Sequence, residues 1–158
     1  MKLNAGRVLD IPLIVTEQNP EKLGKTISEF DTSSAIGIFP KTRFSMITPE
    51  VTNILKNSHD IDSVVLFGLE THICVEQTAM DLLAMEKYSV HIVADAVLSR
   101  TFGDRKMALH RLREMGCIIT TSENVIFKLI KDKNHEKFNE VRNLISKPSV
   151  FPGIGSKL

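Results

Sequence analysis

The sequence predicts an α/β domain, with a parallel sheet as the middle of three layers and helices on both of its faces. Three observations carry that prediction. Short β-branched runs recur along the chain, and the segments between them have helical periodicity. The chain's 158 residues, 42% hydrophobic and 25% charged, are also sufficient for one core. A domain of that size buries roughly two-thirds of its unfolded surface without metal or disulfide staples.

Taken in order, Met1 to Asp10 reads as the last turns of a helix leading into the first run, Leu13-Ile14-Val15. In a parallel sheet such a helix normally follows an earlier strand, and the sequence offers none. Ile36 to Phe39 is the second run. Thr48 then suits an N-cap, because Pro49 fits the first helical position. Val64 to Phe67 is the third run, followed by a helix over Thr71 to Lys87. Thr71 is its predicted N-cap, and Val75, Ala79, Leu82 and Leu83 lie on one face. His91 to Ala94 is the fourth run. Asp104 to Met115 carries the stripe Ala108, Leu112 and Met115, and Gly116 closes it. Ile118-Ile119-Thr120 is the last strand. Helices follow over Ser122 to Lys131 and Glu136 to Ile145. Continuous apolar runs suit strands covered on both faces, and the crossovers between them should be right-handed. The domain spans residues 1–148. Residues 149–158, with two glycines and a proline, read as a flexible tail.

Charge and cysteine content narrow the function. Twenty basic and nineteen acidic residues leave a net charge of +1, which gives no one-sided field for a nucleic-acid backbone or an acidic membrane. No apolar run approaches a membrane span, and the first residues do not form a secretory signal. Two cysteines, Cys74 and Cys117, make no disulfide framework and point to a reducing compartment. The five histidines lack metal-ligand spacing, so neither a metal nor a cofactor is expected. Leu23-Gly24-Lys25-Thr26 resembles the end of a phosphate loop, but that motif needs glycine where Asn19 stands.

One segment carries chemistry. Gly68-Leu69-Glu70-Thr71-His72-Ile73-Cys74 lies where the third run ends and a helix begins, which puts Cys74 in a first turn. Unpaired N–H groups and the helix dipole there favour a thiolate and could bind an oxyanion. Most free cysteines are simply small buried residues, so a second feature is needed. Lys41 provides one. It follows Pro40 at the end of the second run, on the same edge of the sheet, where a cation would favour the thiolate.

The set Pro40-Lys41-Thr42-Arg43-Phe44-Ser45, Gly68 to Cys74 and Gln77-Thr78-Ala79 resembles the isochorismatase-like cysteine hydrolases, with the nearest likeness to the eukaryotic isochorismatase-domain-containing proteins. Ile11 to Gln18, Val93 to Ala96, Ser99-Arg100 and Thr120 to Glu123 extend the likeness over nearly the whole chain. The resemblance implies a Rossmann-like six-stranded parallel sheet and an Asp-Lys-Cys triad acting on a small amide, carbamoyl or related substrate. It makes Cys74 the nucleophile and Lys41 the cation, and it places a cis peptide and the oxyanion donors around Leu69, Glu70 and Cys74. Gln18, Phe44 and His72 would line the pocket. Metal ligands borne by some members after the first run are replaced here by Glu17-Gln18-Asn19, so no metal is implied.

The family's aspartate lies in an Asp-x-Gln stretch ending a central first strand, and this sequence has no such stretch. Asp10 and Asp95 occupy other positions, and Glu17, Glu70 and His72 are only neighbouring polar groups. The strands at Leu13 and Val64 must therefore pair directly or present unpaired edges. The alternative to a hydrolase is then a catalytically silent binding or assembly module, or a truncated isoform. A homo-oligomer is expected in either case. Ser156-Lys157-Leu158 is the peroxisomal address read by an import receptor, so the peroxisome is expected, with the cytoplasm as the alternative.

Overall fold

The computed structural model describes residues 2–145, and the tail with Ser156-Lys157-Leu158 lies outside the described residues. Five strands alternate with helices: α1 (Lys2–Val8), β1 (Leu13–Gln18), α2 (Pro20–Leu23), β2 (Ala35–Lys41), α3 (Pro49–Asn57) and β3 (Ser63–Leu69). A π-helical turn (Thr71–Val75) leads into α4 (Glu76–Leu83). The chain continues through β4 (Ser89–Leu98), α5 (Phe102–Glu114), β5 (Ile118–Thr120), α6 (Ser122–Ile130) and α7 (Phe138–Ile145).

Several starts and stops follow the predicted chemistry. The Thr48 side chain accepts a hydrogen bond from the Val51 N–H, with Pro49 at the first helical position. At the end of α5, Gly116 takes a positive φ, and the Cys117 N–H closes back on the Leu112 carbonyl, the pattern of a Schellman cap.

All strand pairs are parallel, as expected, but they fall into two sets. β1 pairs with β2, and β3 pairs with β4, which pairs with β5. β1 and β3 do not pair, so among the described residues each keeps an unpaired edge, the second of the two outcomes expected above. Helices flank both faces. α3, α4 and α5 close the larger core, around Val51, Leu55, Ala79, Leu82, Val90, Ile92 and Leu112. α1, α6 and α7 close the smaller one, around Ala5, Ile126, Ile130 and Val141.

Two expectations need correction. The second run is not covered on both faces, because Ile36 and Ile38 of β2 are 54% and 43% exposed. β4 is better covered, with Val90, Ile92, Val93, Asp95 and Val97 buried. The helix expected over Thr71 to Lys87 begins instead as a wider turn whose cap is Glu70, and it ends at Leu83. Thr71 is therefore not the N-cap. Its side chain is fully buried, and its Oγ1 has no hydrogen-bond partner. The stripe Val75, Ala79 and Leu82 has the same spacing whether or not one wider turn precedes it, so periodicity could not distinguish the two.

Arg105 and Asp95 tie the layers together from inside. The Arg105 guanidinium donates to the carbonyls of Val97 (2.9 Å) and Ala94, and Arg105 and Asp95 are both buried. Asp95 accepts from the N–H and hydroxyl of Ser122 at 2.7 and 2.6 Å, pinning the start of α6 to β4. Burial lowers the Arg105 pKa, and the Asp95 charge opposes that shift.

Candidate active site

The C-terminal ends of β2 and β3 bring Lys41 and Cys74 together. The two strands belong to different sets, and the contact between these side chains shows that their C-terminal ends meet at one crevice. Lys41 Nζ lies 3.7 Å from Cys74 Sγ, and the two residues are only 7% and 9% exposed. The peptide bond between Leu69 and Glu70, at the end of β3, is cis.

Neutral oxygens complete the lysine's surroundings. Its Nζ donates to Gln18 Oε1 at 2.5 Å and to the carbonyls of Phe44 at 2.8 Å and Arg43 at 3.1 Å. Gln18 faces Lys41 because the two are register partners at the ends of β1 and β2. Its Nε2 donates in turn to the Thr42 carbonyl at 2.6 Å. Among the described residues, no carboxylate pairs with Lys41. Burial lowers its pKa, and the adjacent Cys74 opposes that shift. Among the described residues the ammonium is held by neutral acceptors, with the Cys74 sulfur beside it.

The remaining candidates are placed as follows. Gln18 acts as a ligand of Lys41 rather than only lining a pocket. Phe44 offers its carbonyl to Lys41, while its ring is among the exposed large hydrophobic side chains. His72 turns its Nδ1 to Ser99 Oγ at 2.9 Å, with Glu70 Oε2 at 3.6 Å. The same Glu70 carboxylate accepts from the Arg100 N–H at 2.7 Å, so Glu70 and His72 fasten the end of β4 to the segment after β3. Leu69 is 66% exposed. Glu17 is drawn away from the pair, because its Oε1 accepts from the Thr26 N–H, which lowers its carboxyl pKa. Cys117 lies elsewhere in the core, and burial pushes its thiol up to about 11.

A second tier of residues escaped the sequence reading. Thr78 accepts from the Met46 N–H and donates to the Cys74 carbonyl, at 2.8 and 2.5 Å. Asp81 accepts from Ser45 Oγ at 2.6 Å and from Arg43 at 3.3 Å. The spacing of Cys74, Thr78 and Asp81, four and then three residues, is the only signal that marked them as one helix face.

Comparison with known proteins gives the family. The family model described as Isochorismatase domain matches residues 2–124. Isochorismatase domain-containing protein 1 of Danio rerio is 48% identical over 156 residues, covering 99% of this chain and 55% of its own length. Isochorismatase domain-containing protein 2 of Xenopus laevis is 44% identical, covering 96% of this chain and 73% of its own. A solved Caenorhabditis elegans structure, described as MAR1 ribonuclease, superposes with a TM-score of 0.89 at 42% identity, covering 99% of this chain and 81% of that one. The chain spans about half the length of the first curated relatives it matches, 55% in each case.

Proposed function

The chain belongs to the isochorismatase-like hydrolase family, and on that premise we propose that Cys74 attacks the carbonyl of a small amide, carbamoyl or related substrate. The observation carrying this reading is the buried contact of 3.7 Å between Lys41 Nζ and Cys74 Sγ. In the first step the thiolate sulfur adds to the carbonyl carbon and the π electrons move to oxygen. The family resemblance assigns the donors to that oxyanion to the N–H groups near Glu70 and Cys74. The tetrahedral adduct then expels the leaving nitrogen, which takes up a proton from solvent water, and a thioester remains on Cys74.

Attack needs only the lysine–cysteine pair, whereas turnover also needs a group that carries protons to and from the leaving atoms. Such general acid–base help is typically worth about 10²- to 10⁴-fold. The resemblance assigns it to an aspartate, and no described carboxylate takes that place beside Lys41. With an activated ester, whose leaving group departs without a proton, acylation of this chain should therefore outrun deacylation. Incubation with a small activated ester, followed by peptide mapping by mass spectrometry, is expected to find one persistent acyl group on Cys74 and none on Cys117. Labelling of Cys117 alone would refute the assignment.

The C. elegans protein's description as a ribonuclease suggests RNA as another substrate class. The balanced charge of this chain favours the small molecule, since it supplies no field for a phosphate backbone.

A second reading, a binding or assembly module, is favoured by the unpaired edges of β1 and β3. Such edges invite strand addition, and a homo-oligomer is one way to satisfy them. Light scattering after size exclusion should then give a mass that is a multiple of 17.7 kDa, and a monomer at every concentration would reject self-association. Delivery to the peroxisome is proposed from Ser156-Lys157-Leu158. A fluorescent protein carrying residues 146–158 should become punctate with peroxisomal markers. Removal of the last three residues should leave it diffuse, and diffuse signal from both would end the proposal.

A further inference from the structure

The lysine's carbonyl ligands belong to a loop that reaches the cysteine's own helix. Arg43 and Phe44, whose carbonyls accept from Lys41 Nζ, lie in the segment between β2 and α3. That segment is fastened to α4 at two points, the Met46 N–H on Thr78 Oγ1 and Ser45 Oγ on Asp81 Oδ2, and the Arg43 guanidinium reaches the same Asp81 oxygen. Ser45 is 3% exposed, and its Oγ also accepts from the Ile47 N–H at 3.2 Å, so it sits at the centre of the loop's internal bonding. Thr78 donates to the Cys74 carbonyl one turn earlier. Both reacting side chains are thus referenced to one short stretch of helix.

We infer that Asp81 is a positioning residue: by holding Ser45 and Arg43 it fixes the two carbonyls that keep the Lys41 ammonium against Cys74. It touches neither reacting atom. Its oxygen is the acceptor for two side chains of the loop, and hydrogen bonds to a charged acceptor are stronger than neutral ones. Without it, the loop keeps only the Met46–Thr78 bond as a tie to α4 among its described hydrogen bonds. The carbonyls would then be free to follow Lys41 outward, toward solvent. Coulomb attraction falls with both distance and hydration, so a small displacement of the ammonium weakens its hold on the thiolate steeply.

This inference rests on the Lys41–Cys74 reading, and the test separates the two. The rate of iodoacetamide alkylation is measured across pH on the full chain, with peptide-resolved mass spectrometry reporting Cys74 and Cys117 separately. Asp81→Ala is expected to raise the midpoint of the Cys74 profile by about one pH unit, a tenfold weaker ionisation. Asp81→Asn should recover most of that shift, because its side-chain carbonyl still accepts from Ser45. Should Asp81→Ala fail to fold, Ser45→Ala removes the same link with a single oxygen and should shift the midpoint in the same direction. A merely structural role would lower the melting temperature and open Cys117 to the reagent while leaving the Cys74 midpoint in place, and that result overturns the inference. If Lys41→Met moves the midpoint and the Asp81 and Ser45 variants do not, positioning by Asp81 fails and the lysine–cysteine reading stands. If Lys41→Met itself has no effect, both fall.

Discussion

Replacing Lys41 with methionine is expected to move the midpoint of Cys74 alkylation up by about two pH units and to slow the reaction about tenfold at pH values below both midpoints. Methionine keeps nearly the volume of the side chain and is one atom shorter, so the change acts mainly on the charge. At the observed separation of 3.7 Å, the attraction between ammonium and thiolate amounts to about 4 kcal/mol at the dielectric that suits such sites. Part of that is offset by the burial that already lowers the lysine's own pKa. A two-unit shift removes about 99% of the thiolate in the pH range below both midpoints. Each remaining thiolate is a stronger nucleophile by roughly tenfold, which reduces a hundredfold loss to about tenfold. An unchanged midpoint, read by peptide-resolved alkylation, would mean that the sulfur does not respond to the ammonium.

The largest loss of stability is expected from Asp95→Ala, about 3 to 5 kcal/mol. The substitution strips the Ser122 N–H and hydroxyl of their acceptor at the start of α6. It also leaves the buried Arg105 guanidinium without the opposing charge that offsets its desolvation. For a chain of this length that corresponds to a fall in Tm of roughly 10 °C in a thermal melt. Asp95→Asn keeps an acceptor for Ser122 and should cost less, because what it loses is the charge facing Arg105. A loss below about 1 kcal/mol for the alanine variant would show that water replaces the carboxylate. Arg105 and Asp95 are therefore read as structural rather than catalytic, although Asp95 lies in one of the stretches that carry the family likeness.

Much of the architecture was legible because its signals are local. Val64 to Phe67 reads as a strand from β-branching alone, and Thr48-Pro49 reads as a helix start because capping depends on residues three apart. Cys74 and Lys41 were legible as a pair because each directly follows the end of an apolar run, and a sheet of parallel strands would put those ends on one edge. Thr71 was misread for a physical reason: threonine before an apolar run is a good cap, but here the turn is wider and the cap position falls on Glu70. The cradle of Lys41 had no local signature. Two of its oxygens are backbone carbonyls, which sequence does not distinguish, and Gln18 reaches the lysine only through strand register.

The order and type of the elements, the absence of any strong net field, and the placement of one thiol and one amine at strand ends were determined by the chain's own residues. Periodicity, capping and β-branching act over a few neighbours, and composition acts everywhere. Which strand edges stay unpaired, how one serine–aspartate contact fastens a loop to the helix behind it, and whether a buried charge finds an anion were decided only when distant segments met. Those outcomes depend on contacts between residues 33 and 36 positions apart, as in Lys41–Cys74 and Ser45–Asp81. Their energy comes from burial and from short-range directional bonds, and neither exists until the layers close.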